Sequence, residues 1–288
     1  MIDPIFLAEA AVNGLLLGGI LALLALGLNL IFGVIDIVWI AYVDLVMICM
    51  YAVYFIVQVY GWPIWVGGLA SVGLGAVLGL GVHLLIITPI LSSAPVNQLL
   101  ATGGLLFFLQ SFATFLWTTD HKSVRLALPS WEIGGIFLPA TRLIPFAISI
   151  LALVGLYVFL TRTYVGTAIR AVSQDREAMA LMGASPQRIY IVTSAVGGLM
   201  AGLAGALLLF QYSVHPFFGG QFGPLTFMIC VLGGLGNMVG AFVASFVMSE
   251  IISIAGVVWS TEMGYVIAFV VFIVMIFARP GGILARRQ

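Results

Sequence analysis

Asp44 and Glu250 are acidic side chains set inside long apolar runs, and Asn29, Asn97, Gln98, Gln110 and Gln211 are amides in or beside such runs. An acidic residue near the centre of a helix in hydrocarbon costs roughly 2.5 to 3.5 kcal/mol on insertion scales, so it turns toward a partner or a watery cavity. Asp44 therefore has two open roles. It is part of a solute pathway or its gate, or it makes a structural hydrogen bond that holds its helix against the Asn29 region or a second subunit. Asp36 stands where one run ends, which places it at a membrane edge. Asp44 and Glu250 together are also what a proton- or sodium-coupled transporter would use. Most intramembrane amides bond neighbouring helices, at about 0.6 kcal/mol each. Asn97 and Gln98 are weaker candidates for a pathway.

Other reactive residue types are sparse. His83, His121 and His215 are far apart and lack metal-ligand spacing, so no metal is predicted. Cys49 and Cys230 sit in apolar runs, where a thiol acts as a small hydrophobe. The single lysine, Lys122, follows His121, so the Gly-Lys-Ser or Gly-Lys-Thr ending of a phosphate-binding loop is missing and any ATP hydrolysis needs another subunit. No paired serine and histidine arrangement supports an intramembrane enzyme.

The elements that must hold these residues follow from composition. Of 288 residues 63% are apolar or aromatic and 7% are charged, and the mean hydropathy is +1.24, against the roughly 25% charge of a soluble domain. Ten basic and ten acidic residues cancel, which removes any nucleic-acid footprint. Runs broken by Gly, Pro and charge predict crossings at Ile5–Phe32, Ile37–Val57, Ile64–Ile87, Val96–Trp117, Leu143–Leu160, Ile189–Gln211, Pro224–Val239, Ala241–Val258 and Gly264–Ala278. The fold class is an all-α polytopic membrane protein, with about eight to nine transmembrane helices in one domain over 1–288. Pro224–Val239, with Gly233, Gly234 and Gly236, is either a full crossing or a re-entrant half-helix.

Seven of the ten basic residues fall in two places: Arg162, Arg170, Arg176 and Arg188 in one connection, and Arg279, Arg286 and Arg287 after the last run. Basic residues are retained inside, so loop 162–188 and the C-terminus are expected to be cytoplasmic and loop 118–142, with Lys122, Arg125 and Arg142, external. Gly134-Gly135 within Trp131–Leu138 signals a hairpin in that outer loop.

So polar a stretch as Thr163–Arg188 persists in such an apolar chain only where water or a soluble partner meets it. Ser173 is expected to cap a helix of about nine residues that Asp175 and Glu177 favour through the dipole and Gly183 ends, with Ser185-Pro186 opening the next. Ala178, Leu181 and Met182 share one face. That face docks on a partner, lies among lipid headgroups, or packs on its own protein.

Glu177-Ala178-Met179, with Gly183 six residues after the glutamate, resembles the cytoplasmic Glu-Ala-Ala…Gly coupling motif of ABC importer permeases, Met179 replacing the second alanine. Asn13-Gly14-Leu15, Ala25 through Gly33, Gly166 through Arg170 with Asp175, and Leu232 through Ala241 extend the likeness, in order, to the LivH branch of branched-chain amino acid permeases. The resemblance implies a bacterial inner-membrane importer in which this chain pairs with a LivM-like permease. Two cytoplasmic ATPases carry ATP and Mg, a periplasmic binding protein delivers solute, and this chain itself binds no cofactor. It assigns Asp175 and Glu177 to the start of the coupling helix, Ala178 and Leu181 to its docking face, Gly183 to its stop and Arg188 to anchoring the next span. The family's usual Asn-Phe-Ala-His-Gly-acid string is here Trp39-Ile40-Ala41-Tyr42-Val43-Asp44, which keeps Ala41 and the acid. If Trp39 and Tyr42 line the pathway, they suit a different or more apolar solute. Branched-chain amino acids are the default, with urea, amides and small organic or aromatic acids open.

Overall fold

The computed structural model describes residues 4–124, 128–133, 136–183, 185–279 and 282. Arg125, Gly134, Gly135, Arg286 and Arg287 lie outside the described residues. Of the described residues, 81% are helical. Its helices are α1 (Pro4–Ile35), α2 (Tyr42–Tyr54), α3 (Ile64–Val82), α4 (Thr88–Ile90), α5 (Pro95–Trp117), α6 (Ala140–Arg162), α7 (Tyr164–Gln174), α8 (Arg176–Leu181), α9 (Pro186–Leu208), α10 (Phe218–Gly233), α11 (Met238–Val258) and α12 (Thr261–Ala278). Wide π turns at Phe55–Val59 and His83–Ile87 prolong α2 and α3. The expected outer hairpin is present as β1 (Ser130–Ile133) antiparallel to β2 (Ile136–Pro139).

Among the described residues eight helical stretches are long and apolar enough to cross a membrane, and α10 is a shorter apolar helix. Hydrogen bonds fix which ends share a face. Lys122 and Val214 exchange backbone bonds of 2.9 and 2.8 Å, so the connection before α10 lies with the hairpin loop. At the other end of α10, Asn29 Oδ1 accepts from Gly236 N at 2.7 Å, beside the end of α1. There Arg176 of the polar loop lies 3.7 Å from Asp36. Thus α10 runs from the hairpin side toward the polar-loop side. It begins at Phe218, with Pro224 inside it rather than at its start.

Without a hydrophobic force between helices in lipid, packing rests on close approach and hydrogen bonds. The antiparallel pair α3–α9 meets through Gly75, Gly79, Gly198 and Gly202, and Ser71 Oγ donates to Gly202 O at 2.7 Å. In α1–α11, Gly14 and Gly18 admit Glu250, Phe246 and Ser249, and Ser253 Oγ donates to Ala10 O at 2.6 Å. α1 forms the axis of the bundle, with Ile20 to Ala25 fully buried.

One expected span begins differently. Ile37–Val57 is not helical from its start, because Asp36 takes φ +64° and turns the chain. Residues 36–41 then run without helix back into the bundle, with Ile37, Trp39 and Ala41 buried. The Tyr42 hydroxyl donates to Gly197 O at 3.1 Å. Gly197 stands eleven residues into α9, about 16 Å from its polar-loop end at 1.5 Å per residue, so α2 starts near mid-membrane.

Candidate functional site

Two places gather the candidate residues, and the first is the polar loop. It holds two helices where one was expected. The cap is Asp175 rather than Ser173: Asp175 Oδ1 accepts from Glu177 N at 3.0 Å and Ala178 N at 2.9 Å, while the Ser173 hydroxyl turns back to Arg170 O at 2.8 Å. A carboxylate serves better here because it also meets the positive end of the helix dipole. α8 is six residues long and Gly183 ends it at φ +83°. Met179 packs inward, whereas Ala178 is exposed and Leu181 and Met182 are 90% and 82% exposed. Glu177 and Arg188 are also exposed, the latter in the first turn of α9. Beside these helices lies a cleft of about 1020 Å³ bordered by Asn29, Asp36, Arg170, Arg176 and Asn237. The Arg176–Asp36 pair has both side chains more than half exposed, so it adds little stability.

The second place is the break between α1 and α2. Asp44 is 1% exposed, and Gln110 Nε2 of α5 donates to its Oδ1 at 3.0 Å. Its Oδ2 and the buried Trp39 Nε1 have no partner among the described residues. Trp39 and Tyr42 meet edge to face, 6.1 Å between ring centres. Gly219, at the start of α10, has no side chain because the Asp44 carboxylate occupies that space. In front of these groups is a cavity of about 350 Å³ lined by Trp39, Tyr42, Gln110, Gly220, Gly223 and Phe227, mostly apolar with few polar atoms. Such a cavity suits a small solute with an apolar body.

Trp39, Tyr42 and Asp44 thus come together, and the other pathway candidates do not join them. Asn29 is not the partner of Asp44. Its Nδ2 donates to Asn237 O at 3.0 Å and its Oδ1 accepts from Gly236 N, closing the break between α10 and α11. Gln98 donates to Ile90 O, Leu91 O and Ser93 O at 3.3, 3.3 and 3.1 Å, tying the α4–α5 turn, and Asn97 is exposed beside it. Glu250 faces Gly14 of α1, so it and Asp44 share no site. Two residues deserved more weight from sequence: Gln110 holds Asp44, and the Thr102 hydroxyl donates to Val38 O at 3.1 Å within the non-helical stretch. Their spacing of eight, about two helical turns, marked one polar face of α5.

The hairpin side carries one further cluster. His121 and His215, distant in sequence, meet with ring centres 4.4 Å apart and planes tilted by 47°, and Lys122 Nζ lies 5.4 Å over the Phe55 ring. Burial, then the neighbouring His121, hold the His215 imidazole below its ordinary range. Burial pushes the nearby Tyr212 hydroxyl up to about 12, so it stays neutral.

A family model described as branched-chain amino acid transport system / permease component matches residues 10–276. The chain is 26% identical to the high-affinity branched-chain amino acid transport system permease protein LivH of Escherichia coli K12, over 99% of this chain and 97% of that relative. It is equally 26% identical to the permease protein BraD of Pseudomonas aeruginosa, over 97% of this chain and 96% of that one. A probable branched-chain amino acid transport permease protein LivH of Methanocaldococcus jannaschii is 30% identical over 34% of the chain. No solved structure matches.

Proposed function

The chain belongs to the branched-chain amino acid transport system permease family, and on that premise we propose that it is the transmembrane permease subunit of an ATP-driven (ABC) importer for a small amphipathic solute. Branched-chain amino acids come first among its solutes. Other amino acids, urea, amides and small organic or aromatic acids are further members of the same size class.

The observation that carries this reading is α8: a short helix outside the bilayer, capped by Asp175 and stopped by Gly183, that leaves Leu181 and Met182 in the open. Exposed apolar side chains beside a cluster of arginines fit a groove on a soluble ATPase. In this reading Glu177 sits at the start of the docking helix, Ala178 and Leu181 meet the ATPase, and Arg188 anchors α9. One ATPase sits under this subunit and one under a LivM-like permease, and each ATPase holds its own ATP and Mg. The chain, a single permease domain over 1–288, has no ATPase site of its own. The arginines of loop 162–188 and Arg279 support an orientation with the polar-loop side and the C-terminus in the cytoplasm of a bacterial inner membrane and the hairpin side toward a periplasmic binding protein. Trp39, Tyr42 and Asp44 border the solute route at mid-membrane. Closure of the ATPase pair on nucleotide biases the spans between outward and inward arrangements because only one of them fits the closed pair.

Glu177→Lys tests the docking. The variant is expected to insert normally and to lose co-purification with the ATPase by about tenfold, which corresponds to about 1.4 kcal/mol. Retention of both the ATPase and solute uptake would overturn the role of Glu177.

A further inference from the structure

A second cavity, of about 480 Å³, opens at the hairpin-side ends of α1, α6, α11 and α12. It is separate from the one at the α1–α2 break. One anion and one cation border it, Glu9 of α1 and Arg142 of α6, together with the amides of Asn13 and Gln211. Asn13 Oδ1, an acceptor, and Gln211 Nε2, a donor, are buried and have no partner among the described residues. A buried group of this kind left unpaired keeps its full cost of desolvation. The remaining wall is largely apolar, as at Leu17 and Ile252.

A lone charge would call for a counter-ion, and an apolar cavity for a hydrocarbon. Here both signs of charge, and both kinds of unpaired hydrogen-bonding group, border one space with ample room for an amino acid. We propose that this cavity binds a zwitterion bearing an apolar group: its carboxylate against the Arg142 guanidinium and the Gln211 N–H, its ammonium against the Glu9 carboxylate and Asn13 Oδ1, its aliphatic part against the apolar wall. The amide partners matter because they fix where each charge goes, and so favour one orientation over its reverse.

The cavity also shares walls with its neighbours. Tyr265 borders both it and a neighbouring cleft of about 380 Å³, and Gly220 and Pro224 border both that cleft and the mid-membrane cavity. Gln221 lies beside Tyr265 in the wall of that cleft. The outer cavity is then the first stop on a route toward Trp39 and Asp44, a role that rests on the importer reading. The same head-group chemistry is carried by a free amino acid and by an ethanolamine phospholipid.

The test is binding of radiolabelled L-leucine to the full chain in nanodiscs of phosphatidylcholine alone, with neither ATPase nor binding protein present. Leucine is expected to bind, and Arg142→Gln and Glu9→Gln are each expected to weaken it by about tenfold, with the unfolding temperature unchanged. 4-Methylpentanoate, which lacks the ammonium, and isoamylamine, which lacks the carboxylate, are expected not to compete. Equal leucine binding by the parent and both variants would overturn the site, as would competition by either analogue at the concentration of leucine itself. Repetition in nanodiscs containing phosphatidylethanolamine separates the sources: unchanged leucine binding assigns the cavity to free solute, and displacement by the lipid overturns that assignment. None of these readouts involves the ATPase, so a failure here is distinct from a failure of the docking test.

Discussion

Glycine does opposite work in two regions of this bundle. Along α3 and α9, a methyl group added at Gly198 would stand 2.8 Å from the Gly79 Cα, and one at Gly202 2.8 Å from the Val72 Cα. There the missing side chain is filled by the backbone of the neighbouring helix. Along α10, an added methyl group at Gly220 or Gly223 meets nothing within 4 Å, and both residues border the mid-membrane cavity. The missing side chain there is left as room. A small residue at bilayer depth thus either closes a seam or keeps a space open, and its neighbours decide which. Gly219 stands between the two cases, since the side chain it makes way for is the Asp44 carboxylate.

Substitutions of one kind in both regions separate these uses. Gly198→Leu is expected to have the largest effect, because rigid backbone faces it and overpacking costs about 1–3 kcal/mol even where side chains can shift. Loss of the monodisperse peak in size-exclusion chromatography is the expected readout, and a normally folded variant would break the contrast. Gly223→Leu should leave folding intact yet lower solute uptake by about tenfold as it narrows the cavity. If uptake were unchanged, the space would have no part in transport. Asp44→Asn sharpens the intermediate case: assembly with the partner subunits is expected to persist while uptake falls, and loss of assembly would instead assign Asp44 to packing.

The smallest effect is expected on the hairpin side. His215, which packs on the rings of His121 and Phe218, has its folded value lowered below that of the unfolded chain, about 6.5. Its contribution to stability is full above that unfolded value and is lost as pH falls through the lowered folded one. The melting temperature should therefore drop as pH falls below about 6.5, and His215→Gln should flatten that dependence. An unchanged slope would remove His215 from the cause.

The class of the fold was legible because hydrocarbon imposes long apolar runs, and the polar loop because it stands out against them. The helices were read to within a few residues where one run equals one span, as at α5 and α9. Reading failed at residues 36–41, since Ile37, Val38, Trp39 and Ile40 are as apolar as any helix and nothing in their types announces an extended path. It failed again at Ser173, where two capping residues compete within three positions and only geometry shows that Asp175 wins. Asp44 was visible as a buried acid. Its partner was not, because Gln110 is 66 residues away and one amide among several.

The non-helical stretch behind Trp39 has one more consequence. No peptide N–H from Ile37 to Ala41 donates to a group among the described residues. Lipid offers such groups nothing, so water must reach them. Deuterium should then enter these five amides quickly from solution, at a depth where the flanking helices of the bundle stay protonated for hours.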